Sequence, residues 1–534
     1  MESTYLLKKI STILDSNNLE TRSKKTVVTQ KLFFIVILSF LATTTVLGQE
    51  LTSYAVTGRG GVATTFAMDY QAIGVNPANL AIRKSFRDPK VTFGFLEGNI
   101  GFFTENITFG QILKSYFPNV YGQNYQLTYA QKEQAARDLS NASLSTTINA
   151  TLFGIHVSSE KFGGFAFSVR DRLDFYSKTN PTLSEILFLG QNASYFTDLL
   201  LSSGDIIPNN SQVTPEQRDQ VVFGFRSDST SLPYSTVMNN STIQMLWTRE
   251  YNFAYGTKIV DSYDVQVFAG IGGRYISGIT LIDLEVQNNQ FVGQTIALSP
   301  SFPVEGFDID SPTNVGYQPK KGFARFAFPK PIGNGYGIDV GLNVVIKRNL
   351  YIGAALVNYG KMSWTGNVYN LTDGILAQTQ GTGFDNYNFV TYSPETFQLG
   401  GEGSALSWKG SSQFDDDLPA MARVGASYEF FKTAHLGLDV LIPLNPDAPG
   451  SLASNLYAIG GDLRLTKLLT ISSGVSTGGN QDFNINIPFG LTYHARRGHY
   501  EAGLSTQDVS SFVGDIEGGG NNISFALGFL RFKF

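Results

Sequence analysis

Three stretches of this chain alternate apolar and small polar residues with a period of two, and that pattern constrains the fold more than any other feature. From Phe483 to His494, one set of positions holds Phe483, Ile485, Ile487, Phe489, Leu491 and Tyr493. The other set holds Asn484, Asn486, Pro488, Gly490, Thr492 and His494. Gly337 to Lys347 repeats the pattern, with Ile338, Val340, Leu342, Val344 and Ile346 against Asp339, Gly341 and Asn343. His435 to Ile442 sets Leu436, Leu438, Val440 and Ile442 against Gly437 and Asp439. Side chains of a strand point alternately to opposite faces, so each stretch is a strand with one greasy and one polar face.

A soluble sandwich also alternates, because one face of each sheet is buried and the other wet. Here the polar faces carry glycine and short polar groups in place of the Lys and Glu of a wet sheet. Charged residues make up 16 % of the chain, against about 25 % in ordinary soluble domains. Aromatic residues gather at strand ends, as in Tyr428-Glu429-Phe430-Phe431, which suits an interfacial girdle. The chain closes on Leu530-Arg531-Phe532-Lys533-Phe534, an apolar alternation resembling the assembly signal of bacterial outer-membrane barrels. These features predict an all-β, antiparallel transmembrane β-barrel. The net charge of −5 gives no footprint for nucleic acid. Having no cysteine, the chain holds no disulfide, thiolate nucleophile or Cys-based metal site.

The first 48 residues read as a secretory signal. Lys8, Lys9, Arg22, Lys24, Lys25 and Lys31 precede the apolar run Leu32 to Leu47, which ends Val46-Leu47-Gly48. A basic region, a short apolar core and small residues at the cleavage site make such a signal. The run of 16 residues falls short of the ~20 that a spanning helix needs. The long basic region suggests a translation start nearer Val27 or Val28.

Short polar links are expected at six places: around Ser159-Glu160-Lys161, Asp261-Ser262, Lys347-Arg348-Asn349, Lys432-Thr433, Thr466-Lys467 and Arg496-Arg497-Gly498. Seven other connections are expected near 105–142, 179–240, 286–336, 367–418, 445–452, 479–482 and 508–520. Outer-membrane barrels have short periplasmic turns and longer external loops. Six turns and seven loops both predict fourteen strands, with both termini periplasmic. Within the loops, Tyr129 to Leu139 reads as a helix and Thr182 to Leu201 as a helical pair.

Ahead of the first strand, residues 49–88 are too irregular to be one. From Thr52 to Ile82 the sequence is TSYAVTGRGGVATTFAMDYQAIGVNPANLAI. Its Gly-Arg-Gly turns, alanine-rich stretch, acidic residue and Asn76-Pro77-Ala78 resemble the N-terminal hatch of FadL-type fatty-acid channels. The same opening occurs in their relatives of the type IX secretion system, the PorV-like barrels. Gly335 to Trp364 and Leu418 to Phe430 look closer still to a family of such barrels from the Bacteroidota. These motifs cover under a fifth of the chain, and fold and function separate easily. The resemblance implies a fourteen-stranded barrel occluded from inside by residues 49–88, with residues 89–534 forming the barrel and its loops. The hatch motif would be Gly58, Arg59, Gly60, Asp69, Asn76, Pro77 and Ala78.

The resemblance also implies a kink in the third strand, here around Gly163, Gly164, Arg170 and Asp171. Strict alternation after Phe165, Phe167 and Val169 puts Asp171 on the lipid face. Either the strand bulges near Arg170, or it has already left the hydrocarbon. A hatch must be held, and Arg59 and Asp69 are expected to meet inward charges of the wall. Candidates are Glu250, Arg274, Asp339, Arg423, Glu429, Asp439, Asp462 and Arg464, which also have each other as partners.

No cofactor, metal site or catalytic residue is expected. His156, His435, His494 and His499 fall on non-adjacent strands or in a turn, with no nucleophile motif near them. Asp308-Ile309-Asp310 and Asp415-Asp416-Asp417 lack the glycine-spaced pattern of a calcium loop. Gly58-Arg59-Gly60-Gly61 lacks the spacing of a phosphate cradle. Two functions remain: an outer-membrane channel for hydrophobic small molecules, or a non-transporting PorV-like subunit of a secretion or assembly complex. The first implies a hydrophobic ligand, the second a protein partner in the outer membrane, and both imply membrane lipid around the barrel.

Overall fold

The structure is a computed structural model that describes residues 53–83, 88–104, 106–107, 111, 126–226, 229–301, 312–316, 324–387, 407–431, 433–479, 485–495, 498–510 and 522–534. The expected signal, residues 1–48, lies outside the described residues, as do Asp308–Asp310.

Fourteen strands follow one another around a ring, each hydrogen-bonded antiparallel to its neighbours in sequence. They are β1 (Val91–Thr104), β2 (Ser143–Ser159), β3 (Gly163–Lys178), β4 (Ser241–Asp261), β5 (Val265–Gln287), β6 (Gly333–Ile346) and β7 (Leu350–Trp364). The second half comprises β8 (Met421–Phe430), β9 (Ala434–Pro443), β10 (Leu456–Arg464), β11 (Leu469–Gly478), β12 (Phe489–Ala495), β13 (Tyr500–Thr506) and β14 (Asn522–Lys533). β1 pairs with β14 from Thr92↔Lys533 to Phe103↔Asn522, which closes the barrel. The Phe534 carbonyl accepts the backbone N–H groups of Lys90 at 2.6 Å and Val91 at 2.9 Å, so the terminal residue belongs to the seam. Six short turns and seven longer connections alternate, as the turn count predicted.

Outward residues form an apolar belt. Tyr251, Tyr275 and Tyr336 lie in register across β4, β5 and β6 and mark its loop-side edge. Phe162, Tyr263 and Phe431 stand exposed on the turns and mark the other edge. Along β4 the exposed apolar residues run from Tyr251 to Val260. At about 3.4 Å per residue and a tilt of about 40°, that stretch spans about 23 Å, against about 25 Å for the apolar band of outer-membrane barrels. No helix among the described residues is long and apolar enough to cross a membrane; the strands do the crossing. Parity holds from Ile485 to Tyr493, although regular pairing begins only at Phe489, with Asn486 bridged singly to Ser476.

β3 has no break: residues 164–178 all pair with β4. The irregularity lies next door, in a bulge at Leu152 of β2, between Arg170 and Val169 of β3. Asp171 lies two residues beyond Val169, opposite Arg249. Their bidentate ion pair, at 2.6 and 2.7 Å, sits one step beyond the tyrosine row at the membrane edge. Asp171 thus sits on an unbroken strand with its charge paired.

Beyond the belt, the loops pack into a cap. The helix Tyr129–Leu139 is present, with a Thr128–Gln131 capping box at its start. A helix also spans Pro181–Leu189, but residues 198–201, expected in a second helix, form a strand. That strand joins 206–208, 221–225 and 378–379 in a four-stranded sheet. Leu183, Phe196, Tyr234, Tyr369 and Trp408 belong to one apolar cluster that ties the second and fourth loops to the extensions of the wall.

Candidate functional site

Residues 53–83 fill the barrel's interior. They carry three single-turn helices, Tyr54–Thr57, Asp69–Ala72 and Pro77–Ala81, and nearly every side chain is buried. The Asn76 carboxamide caps the last helix by accepting the Ala78 N–H at 3.1 Å, with Pro77 at the first helical position, where its missing N–H costs nothing. The segment reaches every strand of the ring. Its closest approaches need glycine: a Cβ at Gly58 would lie 3.0 Å from the Gly490 Cα on β12, and one at Gly60, whose φ is +68°, 3.0 Å from Ser476 on β11. Ala78 packs on Phe268, Val345 and Tyr351 of β5, β6 and β7, while Tyr70, Ile73 and Leu80 pack on Ala166 and Ala254 of β3 and β4.

Three groups of polar anchors hold it. At the seam, Arg531 of β14 pairs with Asp69 at 2.5 Å and with Glu501 of β13 at 2.7 Å. The Tyr54 hydroxyl donates to Glu501 at 2.6 Å, Lys533 reaches the other Glu501 oxygen at 2.6 Å, and the Tyr70 hydroxyl donates to Glu97 of β1. Asp69 has φ +50°, a left-handed conformation stabilised by this pairing.

On the β8–β10 wall, one oxygen of Asp439 accepts the Ala63 N–H at 2.8 Å, the Thr64 N–H at 2.7 Å and the Thr64 hydroxyl at 2.7 Å. Arg423 lies 3.6 Å from the same carboxylate. Arg59 pairs with Asp462 at 2.9 Å, and its guanidinium lies over the Phe66 ring, which stacks in turn on His435 with centroids 3.8 Å apart.

Across β2–β6, the Asn76 carboxamide donates to the Leu342 carbonyl at 3.0 Å, and Asn343 donates to Asn79 at 2.7 Å. His156 meets the Leu80 carbonyl at 3.0 Å. Arg170 donates to the Ile73 carbonyl at 3.3 Å and lies 3.7 Å from Glu250. Arg274 bridges Glu250 at 3.3 Å and Asp339 at 2.5 Å.

The expected wall charges therefore divide. Glu250, Arg274, Asp339, Arg423, Asp439 and Asp462 face inward, and of these Arg423, Asp439 and Asp462 hydrogen-bond or ion-pair directly with the interior segment. Arg464 does not face the lumen: it is exposed at the end of β10, donating to the Lys467 carbonyl at 3.2 Å. Glu429 is half-buried near the turns. Asp69 pairs outside the expected set, with Arg531. Gly163 (φ +79°) opens β3 directly after the β2–β3 turn, and Gly164 packs against the Leu80 carbonyl.

Simple alternation breaks just before Glu97 and Arg531, which hides them, whereas along β13 it holds and turns Glu501 inward. Gly94-Phe95-Leu96-Glu97 and Gly528-Phe529-Leu530-Arg531 share one arrangement, and in both the Phe and the Leu are exposed while the charge that follows is buried. The extra outward residue shifts the phase, as a bulge does, and aims the next charge into the lumen. The repeated Gly-Phe-Leu-charge string was the available signal.

On the loop side of the tyrosine row, burial lifts the Asp416 carboxyl to about 7, with the nearby Asp283 charge adding to the rise. Burial lifts Asp283 itself to about 6, against the hydrogen bond that Gln244 donates to it at 3.0 Å. Among the described residues no group of three or more His, Cys, Asp or Glu is placed to hold a metal ion.

The profile of a family of unknown function (DUF5723) matches residues 218–497, just over half of the chain. A search of curated proteins found no match. Among solved structures, the Pseudomonas putida toluene transporter TodX is 10 % identical with a TM-score of 0.39, covering 91 % of this chain and 99 % of its own. A Pseudomonas aeruginosa FadL homologue is 13 % identical with a TM-score of 0.38, covering 92 % of this chain and 100 % of its own.

Proposed function

We propose that this chain, which belongs to the family of unknown function DUF5723, is a channel for small hydrophobic molecules in the outer membrane of a Gram-negative bacterium. Its residues 49–88 would act as the hatch, following a cleaved export signal at 1–48. The observation that carries this reading is the way the lumen is filled. A segment that touches all fourteen strands closes the axial path, yet discrete ion pairs and hydrogen bonds to Asp439, Asp462 and Arg531 hold it. The substrate class rests on the likeness of Thr52–Ile82 to a FadL-type hatch, and on the wall beside it. There, Arg170 meets Ile73 inside, β2 bulges at Leu152, and the outer face carries an apolar groove lined by Ile155, Phe165, Phe167, Phe253 and Ile271.

The test is native mass spectrometry of protein extracted from its own membrane in mild detergent, paired with uptake of a labelled long-chain fatty acid and of toluene. A bound hydrophobic adduct, and uptake that depends on the gene, support the channel. A stoichiometric protein partner with no adduct and unchanged uptake supports the second reading, a PorV-like subunit. The folding of the long loops into a cap with its own apolar core is the observation that favours that alternative.

A further inference from the structure

The connection between β9 and β10 does not stay at the rim. Arg172 on β3 donates to the Gly450 carbonyl at 2.8 Å, and Gln244 on β4 donates to the Asp447 carbonyl at 3.2 Å. Both donors are on inward positions, and in a ring of fourteen β3 lies seven strands from β10, on the opposite wall. Residues 444–455 therefore cross the lumen. On their own side they are pinned by the Asn445 side chain, which accepts the Ala420 N–H at 2.7 Å and donates to the Leu418 carbonyl, and by Leu452, packed on Leu441 and Leu456. On the far side Gly450 also lies beside Leu246 of β4, and Asp174, Gln244, Glu285 and Asp447 are among the residues that line a cavity of about 190 Å³.

We propose that residues 444–455 form a strap that bars the lumen on the loop side of the hatch, so that the barrel has two barriers in series. The geometry gives the two ends different strengths. Near β9 and β10 the strap is held by buried leucines, whereas at the far wall two side chains hold two backbone carbonyls. Pro446 and Pro449 restrict the segment's backbone, so it swings as a unit about its own side. Arg172 is two residues along β3 from Arg170, which holds the hatch at Ile73. The same strand face thus carries one anchor of each barrier.

Two experiments test this, both helped by the absence of native cysteine. A Cβ at Gly450 would lie 3.6 Å from the Leu246 Cβ on β4, within the range of about 3.5–4.5 Å for a disulfide. The Leu246→Cys/Gly450→Cys variant should oxidise to a species of unchanged fold with no free thiol. A folded barrel in which both thiols stay reactive overturns the proposal. Since Gly450 has φ +80° and a cysteine there is strained, a second measurement stands apart from it.

Thr248, 3 % exposed and directly across from Arg172, lies beneath the strap. A Thr248→Cys reporter in whole cells is treated with a membrane-impermeant methanethiosulfonate. Labelling should rise about tenfold or more, following exposure of the thiol, when Arg172→Gln and Gln244→Ala release the strap or two glycines replace residues 446–453. Equal rates in all three backgrounds overturn the proposal. The readout is accessibility rather than transport, so it fails or stands separately from the channel reading.

Discussion

Asp439 is the anchor whose removal has the most calculable effect. One of its oxygens accepts two backbone N–H groups and a hydroxyl from the hatch, at 2.7–2.8 Å. Asp439→Ala leaves the Ala63 and Thr64 amides without an acceptor and deprives the buried Arg423 of its nearest carboxylate. Each unsatisfied buried donor costs about 1–3 kcal/mol, and truncating one side of a buried ion pair costs about 3–5 kcal/mol. Because these costs overlap, we take about 4 kcal/mol for docking of the 62–66 turn. At about 1.4 kcal/mol per tenfold, the undocked population rises about 10³-fold. Amide hydrogen exchange reads this directly, since protection reports the free energy of local opening. In Asp439→Ala, the peptide containing Ala63 and Thr64 should exchange about 10³-fold faster. Asp439→Asn, which keeps an acceptor but loses the charge, should fall about tenfold above wild type. Asp205→Ala, on an exposed loop, should change nothing in that peptide. Unchanged protection at Ala63 and Thr64 in Asp439→Ala would show that the wall does not hold the hatch there.

Other expectations concern the belt, the stacked anchor and the cap. Leu438, on the lipid face of β9 and 40 % exposed, should not accept charge: Leu438→Arg costs about 2–4 kcal/mol near mid-membrane. It should sharply lower the yield of barrel that migrates compactly in unheated detergent gels, while Leu438→Phe matches wild type. Phe66→Ala removes the ring between Arg59 and His435. A loss of about 3 kcal/mol should appear as faster exchange around residues 58–66. Asp416 and Asp283 bind protons more tightly folded than unfolded, so their cost is absent at low pH. It grows as pH rises past the unfolded value near 4 and is complete at about 7, the folded value of Asp416. Asp416→Asn should therefore raise the cap's melting temperature at pH 8 and leave it unchanged at pH 4. A rise of equal size at both would refute the assignment.

The barrel was legible because a membrane wall imposes a period-two pattern on each strand separately. Leu436, Leu438 and Val440 declare their face without reference to any other strand. Turn chemistry was equally local: Lys347 and Arg348 both take positive φ in the tight link between β6 and β7. What alternation cannot supply is which inward charge meets which hatch residue. Asp69 and Arg531 are 462 residues apart in sequence, and their meeting depends on the register of the closed ring. Parity also shifts where a strand holds an extra outward residue, as at Phe529 and Leu530 ahead of the buried Arg531. The inward path of 444–455 left no trace, because its far-wall contacts use backbone carbonyls that any sequence presents.

Glu97 and Arg531, two of the hatch's buried anchors, stand on β1 and β14, the strands whose pairing closes the ring. Closing the cylinder and occupying its centre are therefore linked equilibria. A docked hatch strengthens the seam by the same factor by which a sealed seam strengthens docking. Any agent that loosens one must loosen the other. A mutation in the Phe534 clasp, remote from the lumen, thus belongs to the same thermodynamic cycle as a mutation in Asp69.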